Sequence, residues 1–141
     1  MGLSTSLRYK QFTLGMSFRA NIDNYVYNGM GMSTGAWETV SYNNSQLNNL
    51  NASFLKTGFK TRQYLSDYYV ENASFLKLDN LSLSYNVGKI SKWASLTVSA
   101  MVQNVFCITG YSGTDPEVPN GMDNSFYPRP RTYSLSLGFE F

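Results

Sequence analysis

The last segment of the chain reads Tyr133-Ser134-Leu135-Ser136-Leu137-Gly138-Phe139-Glu140-Phe141, and every second residue in it is apolar. Successive side chains of a β-strand point to opposite faces, so this alternation predicts a strand with one apolar and one polar face. The residues between the apolar ones are mostly serine and glycine, whereas charged residues normally coat the outer face of a soluble sheet. The polar face is therefore not typical of an ordinary solvent surface.

Four segments further upstream show the same period of two. In the clearest of them, the even positions from Phe12 to Ile22 are apolar and the odd positions between them are polar, except at Gly15. About eleven alternating residues are the length that a tilted strand needs to cross the hydrocarbon of a membrane. We predict five strands, at residues 3–10, 12–24, 73–87, 93–107 and 131–141.

The connections between these strands alternate strictly in length. Lys10-Gln11 and residues 88–92 are short, whereas residues 25–72 and 110–130 are long. Short periplasmic turns and long extracellular loops are typical of outer-membrane barrels. We therefore predict an all-β fold, an antiparallel up-and-down transmembrane β-barrel segment with two long loops, located in the bacterial outer membrane.

Five strands are too few to close a barrel, because small barrels need about eight. Open strand edges are intolerable in lipid, which cannot satisfy backbone hydrogen-bonding groups. The loop pattern also starts the first strand on the outside, whereas a complete barrel begins inside. We expect residues 1–141 to be the C-terminal fragment of a longer barrel, with its upstream strands absent.

Within the third strand the apolar parity changes. Leu76 and Leu78 are even-numbered, whereas Leu81 and Leu83 are odd-numbered, and the change falls at Asp79-Asn80. We interpret it as a β-bulge or as the place where the strand leaves the membrane.

Alternating strands also build soluble sandwiches and soluble barrels, so a soluble all-β carbohydrate-binding module is an alternative. The uncharged polar faces, the loop pattern and aromatic residues near strand ends favour the membrane. A passive porin or an adhesin built on a barrel is a second alternative.

Composition excludes several other classes of function. Charged residues are 14% of the chain and the net charge is +2, too small to indicate a nucleic-acid partner. Histidine is absent, which removes His-based triads and His-based metal sites, and the lone Cys107 has no histidine to activate it. We expect no enzyme activity and no cofactor. Asp115, Glu117 and Asp123 can in principle ligate a cation, but Asp115-Pro116 favours a turn, and we predict no metal.

Three segments are distinctive in sequence, and in this order they resemble the closing region of the SusC/RagA-type TonB-dependent outer-membrane transporters. The segments are Glu71-Asn72-Ala73-Ser74-Phe75-Leu76-Lys77-Leu78, then Gln103-Asn104-Val105-Phe106 with Tyr111-Ser112-Gly113-Thr114-Asp115-Pro116-Glu117, and Tyr127-Pro128-Arg129-Pro130-Arg131 running into the last strand. The resemblance spans roughly residues 67–141, with a weaker match over residues 3–28. Cys107-Ile108 departs from it, because a Thr-Leu pair is usual there.

The resemblance implies a barrel of about 22 strands around a plug domain, which is absent from this chain. It implies import of oligosaccharides or peptides with energy from TonB, which would bind through the missing N-terminal part. It also implies a SusD-like surface lipoprotein as a partner, beside the lipid of the outer membrane.

Two sets of residues are candidates for function. The alternating residues Tyr133, Leu135, Leu137, Phe139 and Phe141 are predicted to form the signal that the barrel-assembly machinery reads by strand addition, the alternative being an ordinary edge strand. The aromatic residues Trp37, Tyr42 and Tyr111 of the long loops are predicted to contact a substrate or the lipoprotein, the alternative being packing among the loops themselves.

Overall fold

The computed structural model describes residues 1–40, 49–90 and 94–140, which form two compact units. The strand unit consists of Met1–Asn21, Phe75–Ile108 and Arg129–Phe141, and the loop unit of Ile22–Ser74 and Thr109–Pro128. The strands in chain order are β1 (Gly2–Tyr9), β2 (Phe12–Asn21), β3 (Tyr25–Asn28), β4 (Val70–Asn72), β5 (Phe75–Lys89), β6 (Ser95–Thr109), β7 (Met122–Asp123) and β8 (Thr132–Glu140).

In the described residues the helices are short and lie in the loop unit. They are α1 (Gly29–Thr34), α2 (Phe54–Thr57) and the 3-10 turns Trp37–Thr39 and Asp67–Tyr69. No helix in the described part of the chain has both the length and the apolar character that crossing a membrane requires.

The strand unit is one five-stranded sheet in the order β1-β2-β5-β6-β8. Strand β2 pairs antiparallel with β1 and with β5, and β8 pairs antiparallel with β6. The five strands predicted from alternation are confirmed, with ends that move by up to three residues. Phe141, at the end of the last predicted strand, and Trp93, at the start of the fourth, lie outside the described residues.

The predicted turn between the first two strands is confirmed. Tyr9 pairs with Phe12, which leaves Lys10 and Gln11 as a two-residue connection. Lys10 has a φ of +53°, in the left-handed region that tight hairpin turns require.

The parity change in the third predicted strand is a β-bulge. Along β2 and β5 the register passes from Ser17 opposite Asn80 directly to Phe18 opposite Leu78, so Asp79 is the extra residue of β5. Because side chains alternate between faces, one inserted residue returns Leu78 to the face that the apolar residues beyond the bulge occupy. The apolar face of β5 therefore continues through the bulge.

The long connections fold into a second, smaller sheet in the loop unit. Its central strand β3 pairs antiparallel with β4 and parallel with β7. Val26, Ala73 and Tyr111 form a buried cluster, against which Val118 packs. Strands of two to four residues are too short for a period of two to be visible in the sequence, which is why these segments read only as loops.

Candidate functional site

The two faces of the five-stranded sheet differ in chemistry. Residues that stand directly opposite each other in antiparallel strands share a face, and here apolar residues oppose apolar ones. Such pairs are Leu3 with Phe18, Leu7 with Leu14, Leu14 with Leu83, Leu96 with Phe139 and Val98 with Leu137. The apolar residues of β1, β2 and β5 therefore share one face, and so do those of β6 and β8.

Large side chains of this apolar face are exposed. They include Leu3, Leu7, Tyr9, Phe12, Leu76, Leu83, Tyr133, Leu135, Leu137 and Phe139. Soluble monomers rarely expose an apolar patch larger than a few hundred Å², and larger patches mark a membrane or partner surface. The sheet has the surface chemistry of a wall that stands against lipid.

The opposite face carries small hydroxyl side chains that bond across strands. The hydroxyl oxygens of Ser4 and Ser17 lie 2.9 Å apart, and Ser99 donates to Ser84 at 2.9 Å. The same face carries Arg19, whose guanidinium donates to both carboxylate oxygens of Asp79 through Nε and Nη2. This chemistry suits a hydrated interior surface, as in the lumen of a barrel.

The predicted assembly signal lies on β8. The side chains of Tyr133, Leu135, Leu137 and Phe139 are all more than half exposed, and they share one face of the strand. Phe141 lies outside the described residues. The structure therefore shows the alternation, and the signalling role of these residues stays a prediction.

Asn104 holds the chain that leads into β8, a role that the sequence did not reveal. Its side-chain amide donates to the carbonyl oxygens of Arg129 at 2.6 Å and Pro130 at 3.3 Å. Pro130 lacks an N–H and cannot donate to a ladder, but its carbonyl and that of Arg129 still accept, and the Asn104 side chain supplies the donor. Asn104 has a φ of +55°, a conformation that asparagine tolerates better than most residues. The sequence signal that could have revealed this role was an Asn within a strand that lies opposite a Pro-rich stretch.

In the loop unit, Tyr111 and Asp123 form a buried pair. Tyr111 donates its hydroxyl to Asp123 Oδ2 at 3.1 Å, and the same oxygen accepts the backbone N–H groups of Thr114 and Asp115. Burial, followed by the Asp123 charge, raises the pKa of the Tyr111 hydroxyl. Burial also opposes ionisation of Asp123, but hydrogen bonds led by the backbone N–H of Ser125 outweigh it and lower the pKa of this carboxyl. Asp123 thus organises the backbone around it as a charged acceptor.

The three aromatic loop residues have different surroundings. Tyr111 packs in the buried cluster of the loop unit, whereas Trp37 is mostly exposed, with its ring 6.0 Å from that of Phe54. Tyr42 lies outside the described residues. The structure does not bring Trp37 and Tyr111 into contact, and their contact with substrate or lipoprotein stays a prediction.

Of the acidic residues in the second long connection, Asp115 and Glu117 lie in a turn, whereas Asp123 lies at the end of β7. Asp115 Oδ1 accepts the backbone N–H of Glu117 at 2.9 Å, the geometry of an Asx turn. Within the described ranges, no three Asp, Glu, His or Cys side chains are grouped so that they could hold a metal ion.

A polar network not foreseen from the sequence links three segments of the loop unit. Glu71 Oε1 accepts from Asn28 Nδ2 at 2.9 Å and from the Ser112 hydroxyl at 2.7 Å, while Oε2 accepts the Ser112 N–H at 2.9 Å. Asn28 also caps α1, because its Oδ1 accepts the N–H of Gly31. These residues are far apart in sequence, so their convergence depends on the fold.

Comparison with known proteins identifies the chain's relatives. No protein-family model matches it. The TonB-dependent receptor SusC of Bacteroides thetaiotaomicron is 37% identical to the chain over the chain's whole length. The chain belongs to the SusC/RagA-type TonB-dependent receptors. The resemblance in the three sequence segments is thereby confirmed.

Other relatives carry the same receptor name. The TonB-dependent receptor P3 of Formosa agariphila is 28% identical over the whole chain, and P39 of the same organism is 32% identical over 52% of it. The chain spans only 15% of the length of SusC and 16% of that of P3.

Solved structures give the same fold. The RagAB peptide importer in its open-open state matches 99% of the chain with a TM-score of 0.74 at 20% identity, and the chain covers 17% of that structure's chain. The closed-closed state matches 96% with a TM-score of 0.72, covering 16% of that chain. The predicted fold is confirmed as a strand-rich segment of this receptor fold, and the predicted outer-membrane location is confirmed.

Proposed function

We propose that the chain forms part of the barrel wall of a TonB-dependent importer of oligosaccharides or peptides. The observation that carries this proposal is the sheet with one exposed apolar face and one hydroxyl-rich face, in a chain related to SusC. In this proposal the wall supplies no chemistry of its own. It separates lipid from a hydrated lumen, and the rest of the receptor supplies the plug domain and the contact with TonB.

The proposed substrate class has two members, because the named structures support peptides and the chemistry of the polar face suits sugars too. The RagAB structures are named as those of a peptide importer, whereas the hydroxyl-rich polar face suits sugars as well as peptides. The test is uptake by cells that lack the receptor gene, fed either oligosaccharides or peptides as the limiting nutrient. We expect slower growth on one of the two classes and normal growth on glucose. Equal growth with and without the gene on every nutrient would contradict import.

Dependence on TonB separates an importer from a passive pore. A cell with the full-length receptor but without TonB is expected to lose uptake of the same nutrient. Uptake that continues without TonB would indicate a passive porin.

We also propose two partners for the whole receptor, a SusD-like surface lipoprotein and the barrel-assembly machinery. The first is tested by purifying the full-length receptor in mild detergent and looking for a lipid-modified surface protein in a one-to-one ratio. The second is tested on β8, where Phe139→Ala in the full-length receptor should lower its outer-membrane level. Glu140→Ala, the next residue on the opposite face, is the control and should leave that level unchanged. Equal levels for both variants would contradict the assembly signal.

A further inference from the structure

The loop unit contains a cavity of about 470 Å³ that a role in the wall does not require. Polar side chains from four stretches of the chain line it. They include Asn28, Ser53, Lys56, Tyr68, Tyr69 and Glu71. A concave site with a few polar groups is the usual form of a small-ligand site.

One part of this lining has its hydrogen-bonding capacity already in use. The Glu71 carboxylate accepts three hydrogen bonds from Asn28 and Ser112, and the Asn28 amide is used on both its oxygen and its nitrogen. These groups hold the loop unit together. What the cavity can bind therefore depends on the other residues that line it.

The remaining lining offers donors. Among the described residues, neither the Lys56 ammonium nor the Tyr69 hydroxyl has a hydrogen-bond or ion-pair partner. Burial, followed by the neighbouring Tyr68 and Tyr27, raises the pKa of Tyr69, so its hydroxyl keeps its proton at neutral pH. A cavity lined by open donors matches a ligand that supplies acceptor oxygens.

Ser53 is the third open group. Its Oγ is closed off from water and has no partner in the described part of the chain. Buried polar groups are almost always paired, so an unpaired one calls for an explanation. Ser53 and Lys56 are three residues apart at α2, which places their side chains on the same side of the turn.

We propose that this cavity binds a carboxylate group through the Lys56 ammonium and the hydroxyls of Ser53 and Tyr69. A carboxylate accepts several hydrogen bonds, and those from a charged donor are the stronger ones. The carboxylate can belong to an acidic peptide or to a uronic acid in an oligosaccharide. Binding at this cavity does not depend on import, so it can be tested apart from the proposed function.

The test is isothermal titration calorimetry of the full-length receptor in detergent with two matched pairs of probes. One pair is N-acetyl-dialanine and its C-terminal amide, and the other is glucuronic acid and glucose. We expect the carboxylate member of at least one pair to bind, and its neutral counterpart to bind at least tenfold more weakly. The proposal is overturned when both members of each pair bind alike or when neither binds.

Two variants assign the binding to this cavity. Lys56→Gln is expected to weaken carboxylate binding at least tenfold, whereas the control Lys60→Gln, an exposed lysine of the loop unit outside the lining, leaves affinity unchanged. Ser53→Ala is expected to weaken binding severalfold without lowering the thermal stability of the receptor, because its hydroxyl has no partner to lose. Unchanged affinity in Lys56→Gln, or a loss of stability in Ser53→Ala, contradicts the proposal.

Discussion

Arg19 and Asp79 form a two-pronged ion pair at the position where the register of β2 and β5 shifts. Nη2 of Arg19 lies 2.9 Å from Oδ1 of Asp79, and Nε contacts Oδ2. Asp79 is the extra residue of the bulge, so the carboxylate that the insertion adds is bonded to the neighbouring strand. The bulge keeps the apolar residues of β5 on one face, and the ion pair joins the extra residue of the bulge to β2.

Deletion of Asp79 is expected to prevent correct assembly of the full-length receptor. Without the inserted residue, either Leu76 and Leu78 or the residues beyond the bulge must turn to the wrong face. Asp79→Asn keeps the bulge and loses only the charge, which costs about 1 kcal/mol or less because the Arg19 side chain is 44% exposed. Outer-membrane levels of the two variants check this, and a wild-type level for the deletion would refute the account of the bulge.

A charge on the apolar face of β8 should be far more harmful than one on the polar face. Leu137→Lys is expected to cost about 2–4 kcal/mol if the residue lies near the bilayer midplane. Ser136→Lys, the adjacent residue on the hydroxyl-rich face, should cost much less because that face is hydrated. Urea unfolding of the full-length receptor refolded into lipid vesicles measures both. A similar loss for the two variants would contradict the assignment of faces.

Asn104 contributes through its side-chain amide and its tolerance of a positive φ. Asn104→Ala loses both, and we expect a cost of about 2 kcal/mol, since a net hydrogen bond is worth about 1 kcal/mol. Asn104→Gly loses the amide but adopts the φ of +55° readily, so it should be the milder change. Thermal unfolding of the full-length receptor compares the two, and a glycine variant no more stable than alanine would show that backbone conformation is unimportant here.

The Asp123 and Tyr111 pair should make the loop unit sensitive to both acid and alkali. The pKa of Asp123 is below its ordinary value of 3.8, so its contribution is complete above that pH and is lost as pH falls through the folded pKa. The pKa of Tyr111 is above its ordinary value of 10.0, so its contribution is complete below pH 10 and is lost as pH rises. The pair therefore stabilises the loop unit across the neutral range.

Asp123→Asn tests the acid side of this window. We expect it to lower the stability of the loop unit by about 1.5–3 kcal/mol at pH 7, because the carboxylate accepts several hydrogen bonds as a charged group. Hydrogen-exchange mass spectrometry of residues 110–128 compares variant and wild type at the same pH. The difference in protection should shrink below pH 3.8, and a difference that is constant with pH would exclude the carboxylate charge as its cause.

The strand unit was predictable from sequence because its strands are long and each has one apolar and one polar face. Ten alternating residues of β2 and nine of β8 define the period, and the parity change marked the place of the bulge, with the end of the membrane span as the alternative. Register was not predicted, although the observed one places apolar residues opposite apolar residues, as a continuous apolar face requires.

The loop unit was not predictable because its strands are short and their partners lie far away in the sequence. β7 has two residues, and its partner β3 lies almost a hundred residues earlier in the chain, so neither period nor proximity indicated the pairing. The network of Asn28, Glu71 and Ser112 depends on that pairing. Tyr111 could be recognised as an aromatic loop residue, but its burial against Val26 could not.

The central claim is that one face of the five-stranded sheet meets lipid, and site-directed spin labelling tests it most directly. Single labels are placed along β5 and β8 of the full-length receptor in vesicles, with Cys107 replaced by serine, and their accessibility to oxygen and to a water-soluble nickel reagent is measured. We predict oxygen access at Leu135 and Leu137, nickel access at Ser134 and Ser136, and an oxygen-accessible series on β5 that changes from even to odd numbers across Asp79. Equal access to both reagents at neighbouring positions, or a series with no change at Asp79, would contradict the account.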